Sequence, residues 1–301
     1  MALKQVKNKI ISTKKTGQVT KAMESVSAVK MRKSQERALS GKAYAEAALR
    51  ILDRISKSQD AKHFLRVEPK VDAKHCFIII TSDKGLAGAL NSSVLKEATL
   101  QLEKLDKKTV EVIAFGRKAL EYASRLGYQV VAEYTNVSDD VSLSDMETSV
   151  TEIMSKYQSG DYAKVSVAYQ SFVSTFEQNA VVREVLPLEA ASLEKMIEDI
   201  VPKKGKYSDT DEDVTAHSYT VEPSADEVYK SLLPKLVQIM IYHALLESKA
   251  SEHSARMVAM KNATDKSKEL IKALTIEYNK ERQASITAEV SEITAGVEAM
   301  K

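Results

Sequence analysis

Apolar positions in the first 57 residues repeat at the spacing of a long helix. Alternating steps of three and four connect Leu3, Val6, Ile10, Thr13, Gly17 and Thr20, and an apolar stripe continues through Met23, Val26 and Met31. This alternation is that of the inner positions of a coiled coil. The pattern predicts a single helix over residues 2–57, and its Thr and Gly positions indicate a weak zipper.

The C-terminal end of the chain predicts a second and longer helix. From Ser224 onward the sequence contains one proline, Pro234, and one glycine, Gly296. A helix that begins near Ser224, a good N-cap residue, would extend roughly 100 Å at about 1.5 Å per residue. A lone helix of this length needs a partner along its length. Residues 2–57 are the expected partner, and Pro234 predicts a kink.

The middle of the chain has a different period. Residues 76–81 are a short apolar run rich in β-branched side chains, as in a strand buried on both faces. Further strands are predicted at residues 110–115, 128–133 and 164–169, helices at 92–105, 117–126 and 141–157, and a hairpin with strands 172–176 and 180–186. Strands alternating with helices indicate an α/β layer with a mostly parallel sheet.

The order of these segments predicts three parts: an N-terminal coiled-coil helix over residues 1–57, an α/β body with a polar tether over residues 70–222, and a C-terminal coiled-coil helix over residues 223–301. Because the body is inserted between the two helices, they are expected to pair antiparallel. The predicted fold class is therefore α/β, a long antiparallel coiled coil with an inserted Rossmann-like domain.

Composition and charge agree with this architecture. The chain has no Trp and only five Phe in 301 residues, which is typical of a large long-helix component. Residues 1–37 carry ten Lys or Arg but only two acids, Glu24 and Glu36, so the N-terminal helix presents a positive face. Cys76 is the only cysteine, which excludes an intrachain disulfide. No run approaches 18 apolar residues, and a membrane span is not expected.

One turn, residues 81–91, stands where phosphate-binding loops stand, after a buried strand and before a helix. It contains Gly85 and Gly88 but lacks the third glycine of a dinucleotide motif and the Gly-Lys-Ser/Thr of a P-loop. Packing of a tight turn is the favoured interpretation. The five histidines show no metal-ligand spacing, so we expect no catalytic residue, cofactor or metal in this chain.

Three segments together closely resemble the gamma subunit of the F-type rotary ATP synthase. Residues 19–35 read VTKAMESVSAVKMRKSQ, residues 81–91 read TSDKGLAGALN, and residues 250–265 and 278–293 read ASEHSARMVAMKNATD and YNKERQASITAEVSEI. The likeness covers the whole chain in order. The turn departs from the family pattern in ending Gly88-Ala89, where Gly-Gly is usual. The body also lacks the cysteine pair of the chloroplast form.

The resemblance implies that both terminal helices turn inside a ring of three alpha and three beta subunits. It also implies that the base of the helices and the body rest on the membrane c ring together with the epsilon subunit. Proton flow would turn this rotor, and the beta subunits would perform the chemistry. The chain would be non-catalytic and peripheral to the membrane. Since the sequence starts without a recognisable leader, the cytoplasmic face of a bacterial membrane is the expected location.

Family positions carry over to three groups of residues. Those expected to contact the beta subunit are Lys21, Met23, Lys30, Arg32, Lys33, Arg256, Arg282, Gln283, Thr287 and Glu289. Those expected at an apolar bearing tip are Ile286, Val290, Ile293, Val297 and Met300. Tyr219 is expected at the foot that meets the c ring. Exposed ion pairs contribute only about 0–1 kcal/mol each, which suits a shaft that must slide past its sleeve.

Other functions stay open on the sequence alone. A coiled-coil adaptor with a non-catalytic α/β domain would share every element predicted here. A nucleotide-dependent enzyme would bind or hydrolyse ATP as the pure chain. A nucleic-acid-binding arm would use the basic N-terminal face, and its affinity would fall steeply with salt. We expect neither a nucleic acid nor a small molecule as the direct ligand.

Overall fold

The structure, a computed structural model, describes residues 3–40, 69–187 and 225–300. The chain divides into two compact units. The first, here called the helical unit, comprises Met1–Ala28 and Arg256–Lys301. The second, here called the α/β unit, is Val29–Ala255. Residues 41–57 of the predicted N-terminal helix, Ser224 and the polar tether lie outside the described residues.

Ten helices and strands make up the described residues, with two short 3-10 turns besides. In chain order they are α1 (Leu3–Ser40), β1 (Lys74–Ile80), α2 (Leu90–Leu102), β2 (Val110–Phe115), α3 (Arg117–Leu126), β3 (Gln129–Tyr134), α4 (Glu147–Gln158), β4 (Tyr162–Phe172), β5 (Gln178–Leu186) and α5 (Ala225–Ala299). The order helix, α/β body, helix is the predicted one. Pro234 lies inside α5, which runs for 75 residues.

In the helical unit, α1 and α5 pack against each other in antiparallel order. Thr20 Oγ1 lies 2.7 Å from Thr264 Oγ1. A Cβ placed on Gly17 would lie 3.2 Å from Cβ of Ser267, so the missing side chain permits close approach of the two helices. As the residue number falls on α1 it rises on α5, which confirms the predicted antiparallel coiled coil.

In the α/β unit, five strands form one sheet in the order β3-β2-β1-β4-β5. The pairs β1–β2, β1–β4 and β2–β3 are parallel, and β4–β5 is antiparallel. The mostly parallel sheet is therefore as predicted. Alternate residues of β1 point to opposite faces: Cys76, Ile78 and Ile80 pack towards α4 and α5, whereas Phe77 and Ile79 pack towards α2 and α3. Burial on both faces explains the unbroken apolar run of this strand.

The predicted hairpin is wrong in its first strand and its turn. Residues 172–176 do not form a separate strand, because β4 continues to Phe172 and pairs directly with β5. The chain reverses at residues 173–177, where the Ser174 hydroxyl accepts hydrogen bonds from the backbone N–H groups of Phe176 and Glu177. The apolar residues Val173 and Phe176 belong to this exposed turn.

The helix predicted over residues 141–157 begins later than expected. A 3-10 turn over Ser144–Met146 precedes α4, which starts at Glu147. The reason is local, since the Asp145 carboxylate accepts a hydrogen bond from the backbone N–H of Ser142 and closes a turn there. No helix among the described residues is long and apolar enough to cross a membrane.

Candidate functional site

The carboxyl ends of the parallel strands are the usual ligand site of such a sheet, at the point where the strand order reverses. Here α5 covers that edge. The Ser251 hydroxyl donates to the carbonyl of Gln170 at 3.2 Å, and Lys249 Nζ donates to the carbonyl of Val137 at 2.7 Å. Between the ends of β1 and β2 and the facing turn of α5 lies a cavity of about 10 Å³. That space is far too small for a nucleotide.

Four polar side chains of the turn over residues 81–91, those of Thr81, Ser82, Asp83 and Asn91, form hydrogen bonds within the α/β unit. The Ser82 N–H donates to Asn91 Oδ1, and Asn91 Nδ2 donates back to the Ser82 hydroxyl. The Asp83 carboxylate accepts from the backbone N–H of Arg117 at 3.0 Å, and the Thr81 hydroxyl accepts from that of Ala119 at 2.8 Å. These two residues cap α3, whose own N-cap residue, Gly116, has no side chain. The geometry supports packing as the role of this turn.

Gly116 is required by the same packing. Its φ is +89°, and a Cβ there would lie 2.2 Å from the carbonyl oxygen of Thr81. Only glycine tolerates both the left-handed backbone and this approach. The end of β1 and the start of α3 are thereby held in direct contact.

Most of the predicted beta-contact residues on α1 lie on its surface. Lys21 is exposed and pairs with Glu24 at 2.9 Å, while Arg32 and Lys33 are also exposed. Met23 is half-buried. Lys30, 46% exposed, already binds a partner inside the chain, the Asp139 carboxylate at 2.7 Å.

The predicted contact residues on α5 divide in two groups. Arg282, Gln283, Thr287 and Glu289 are exposed, whereas Arg256 is buried. The five residues of the predicted bearing tip form an exposed apolar set, at 52% for Ile286, 56% for Val290, 67% for Ile293, 57% for Val297 and 88% for Met300. Tyr219 lies outside the described residues.

The helix seam differs from its prediction at one position. Val26 is 55% exposed, and the neighbouring Ser27 is buried at 3%. Val19 is also exposed, seven residues earlier. The spacing of seven between two outward valines is a sequence signal for a second apolar stripe, separate from the predicted seam. Val19 and Val26 therefore lie on one outward face of α1.

These features define a class of protein: two long antiparallel helices with an exposed apolar end, joined to an α/β body whose usual ligand edge is closed. The profile of the ATP synthase family matches residues 2–300. The ATP synthase gamma chain of Roseiflexus castenholzii is 38% identical over 304 residues, covering 99% of this chain and 98% of that one. The gamma chain of Pelotomaculum thermopropionicum is 35% identical over 300 residues, covering 100% and 99%.

Solved structures of ATP synthases contain chains with a similar fold. The central stalk and c ring structure of the Tetrahymena thermophila mitochondrial ATP synthase contains a chain 26% identical to this one, with a TM-score of 0.59, covering 81% of this chain and 99% of that one. A chain of the Euglena gracilis mitochondrial ATP synthase, 19% identical, has a TM-score of 0.64 over 99% of this chain and 94% of its own length, which shows the fold alone.

The chain belongs to the ATP synthase family. The predicted family, the predicted fold class and the predicted function as the central rotor shaft are confirmed.

Proposed function

We propose that the chain performs only the mechanical part of ATP synthesis and hydrolysis, and that the nucleotide chemistry belongs to the beta subunits that surround it. The exposed apolar end of α5 carries this proposal. Ile293 and Val297 are more than half exposed in the chain by itself. Apolar side chains in such a row are stabilised when a partner removes them from water. An apolar sleeve formed by the alpha and beta subunits is the partner proposed here.

The polar surface below this end suits contact with the beta subunits. Arg282, Gln283 and Glu289 are exposed on α5, and Lys21 and Arg32 are exposed on α1. Since exposed ion pairs contribute only about 0–1 kcal/mol, such contacts can form and break at every step of a rotation. Met23 and the buried Arg256 belong to the proposed contact set through the family resemblance.

The remaining proposals concern the membrane side. Tyr219 is proposed to meet the c ring, with the epsilon subunit beside it, at the cytoplasmic face of a bacterial membrane. The three parts over residues 1–57, 70–222 and 223–301 are the proposed domains. The adaptor alternative is not favoured, because the relatives are gamma chains of ATP synthases.

Reconstitution tests the mechanical function. Alpha and beta subunits are assembled with and without this chain, and the rate of ATP hydrolysis is measured against ATP concentration. We expect cooperative hydrolysis only when the chain is present, and none by the chain alone. Identical curves with and without the chain would refute the shaft, and ATP binding by the pure chain in equilibrium dialysis would refute its non-catalytic role.

A pair of variants tests the beta contact. Arg282→Ala is expected to lower the rate of cooperative ATP hydrolysis in the complex of this chain with alpha and beta subunits. Lys266→Ala is the matched control, because Lys266 lies on the same helix, is 80% exposed and pairs with Glu269 one turn away. Equal rates for both variants and the unchanged chain would remove Arg282 from the contact set.

A further inference from the structure

One carboxylate in the α/β unit binds both long helices. Asp139 lies in the loop that follows β3 and is not part of any strand. Its carboxylate accepts a hydrogen bond from His253 Nε2 of α5 at 2.9 Å. Its other oxygen accepts from Lys30 Nζ of α1 at 2.7 Å. A single side chain thus joins residues 109 and 114 positions away in the sequence.

The neighbouring backbone of this loop strengthens the same joint. Lys249 Nζ, on α5, donates to the carbonyl of Val137 at 2.7 Å and lies 3.6 Å from Asp139 Oδ1. Arg37 Nη1, on α1, donates to the carbonyl of Asp139 at 2.5 Å. Arg37 also pairs with Asp140. Each helix therefore contributes two cationic or polar side chains to a loop of four residues, here called the Asp139 joint (Val137, Ser138, Asp139 and Asp140).

The Asp139 joint differs from the surface ion pairs of the chain in its burial. The side chains of His253 and Lys249 are 5% and 10% exposed, and that of Asp139 is 30% exposed. The pair Lys266–Glu269, in comparison, is 80% and 66% exposed. The hydrogen bond from His253, followed by that from Lys30, holds the pKa of Asp139 well below its usual range. Interactions of this kind are lost only at a cost, because removing one partner leaves buried charge behind.

The direction of these bonds matters for a rotor. Apolar packing already sets which face of each helix is buried. Charge-assisted hydrogen bonds have fixed geometry. The His253 ring depends on this geometry, since its buried Nδ1 has no hydrogen-bond partner among the described residues and Asp139 binds its other nitrogen.

We propose that Asp139 is a positioning residue for torque transfer: its carboxylate fixes the α1 and α5 segments of the α/β unit to the sheet, so that these three parts turn together. This proposal rests on the proposed function of the chain as a rotor shaft. Asp139 touches no reacting atom and acts through the two helices. The relevant load is the proton gradient against which the complete enzyme works.

The test uses complete ATP synthase in vesicles that carries Asp139→Asn. Asparagine keeps the size and one acceptor oxygen but loses the charge that three cationic or polar groups face. We expect ATP hydrolysis within about 20% of the unchanged enzyme, and a maximal proton gradient lowered at least twofold. A residue with a merely structural role would lower hydrolysis, assembly and pumping in parallel.

Three further variants make the outcome decisive. Arg37→Gln weakens the attachment of α1 to this loop and is expected to lower the gradient by a smaller factor, while His253→Gln keeps a neutral donor and is expected to preserve it. Asp161→Asn is the matched control, because this carboxylate of the same unit is 51% exposed and pairs with Lys70 of the body rather than with either long helix, and its gradient is expected to be unchanged.

The other possible results refute either the Asp139 joint or the shaft function. Pumping that falls only in proportion to hydrolysis in both Asp139→Asn and Arg37→Gln refutes the joint, as does an unchanged gradient in both. If Asp139→Asn fails to assemble, Arg37→Gln decides alone. A preparation without the chain separates the two proposals: if it pumps as well as the complete enzyme, the shaft function itself is wrong.

Discussion

The two ends of α5 contain similar apolar residues in opposite environments. Towards its start, Leu236, Val237 and Ile241 are at most 1% exposed. Towards its end, Ile293 and Val297 are 67% and 57% exposed. Hydropathy does not distinguish these ends, since both carry aliphatic side chains. The start packs on the sheet together with α4, whereas the end has no such cover from the described residues. One helix therefore serves as a core element at one end and as a partner surface at the other.

The largest expected effect breaks the buried end. Ile241→Ala removes aliphatic groups from the core that α5 shares with the sheet and α4. Substitutions of this type cost about 2–5 kcal/mol, through lost burial and the cavity that remains. Urea unfolding of the full chain measures the loss. A cost below about 1 kcal/mol would mean that this end of α5 is not part of the core.

The second-largest effect is expected from acid, which should lower the free energy of unfolding through Asp139, near the buried end of α5. The folded pKa of Asp139 is lowered, chiefly by the hydrogen bond from His253, so its carboxylate stabilises the folded chain above the unfolded pKa of about 3.9. That contribution is lost as the pH falls from about 5 towards the folded value. Because Asp139 is 30% exposed, we expect only about 1–2 kcal/mol.

Urea unfolding at pH 6 and at pH 3.5 tests this contribution of Asp139. At each pH, the free energy of unfolding of the Asp139→Asn variant is subtracted from that of the unchanged chain. The groups facing Asp139 are Lys30, Lys249 and His253. The difference is expected to shrink at pH 3.5. A difference that grows on acidification would reverse the sign argued here.

A second histidine provides an independent pH test. Burial, together with the charge of Lys164, lowers the pKa of His75 from 6.5 to about 4. The unfolded chain therefore binds this proton first, and stability is complete above about pH 6.5 and declines as the pH falls towards 4. We expect His75→Gln, which can still bond Ser166, to flatten the decline between pH 6.5 and pH 4 in thermal unfolding. An unaltered slope would contradict the assignment.

A smaller effect on stability is expected from the interaction between Thr20 and Thr264 in the coiled coil. Thr20 and Thr264 share a buried hydrogen bond of 2.7 Å, and a buried polar pair at a seam sets register. A double-mutant cycle with Thr20→Val and Thr264→Val is expected to give a coupling energy of about 0.5–1.5 kcal/mol in the free energy of unfolding. Additive effects would show that the pair does not set the register.

The smallest effect on stability is expected at the exposed end. Ile293→Ala should change the free energy of unfolding of the chain by less than about 0.5 kcal/mol, in direct comparison with Ile241→Ala. In the reconstituted complex the same change should lower cooperative hydrolysis, because the apolar contact with the sleeve is reduced. A large loss of stability in the free chain would show that the end already packs within it.

Much of the fold could be predicted because its signals are local. The bounds of β2 and α3 were predicted to the residue, since Gly116 and Gly127 bracket α3 and leave no ambiguity. The hairpin was placed wrongly because Val173 and Phe176 alternate like strand residues, although Ser174 closes a turn around them. Val26 was assigned to the seam because apolarity alone does not tell the inner face of a helix from a face that awaits a partner.

The candidate site divides in the same way. Family motifs point to Arg282, Gln283 and the apolar end of α5, and these assignments stay predictions until partners are present. No periodicity or motif pointed to Asp139. Its partners on α1 and α5 are more than 100 positions away along the chain, and nothing in a local pattern brings them together.

The sequence by itself determined the family, the two long helices and the mostly parallel sheet, because each depends on periodicity, turn residues or an ordered motif. Only the tertiary structure decided that α5 closes the ligand edge of the sheet, that Ser27 and not Val26 faces the seam, and that Asp139 ties both helices to the body. These features depend on which segments far apart in the sequence pack together, and the free energy of that packing is a property of the whole fold.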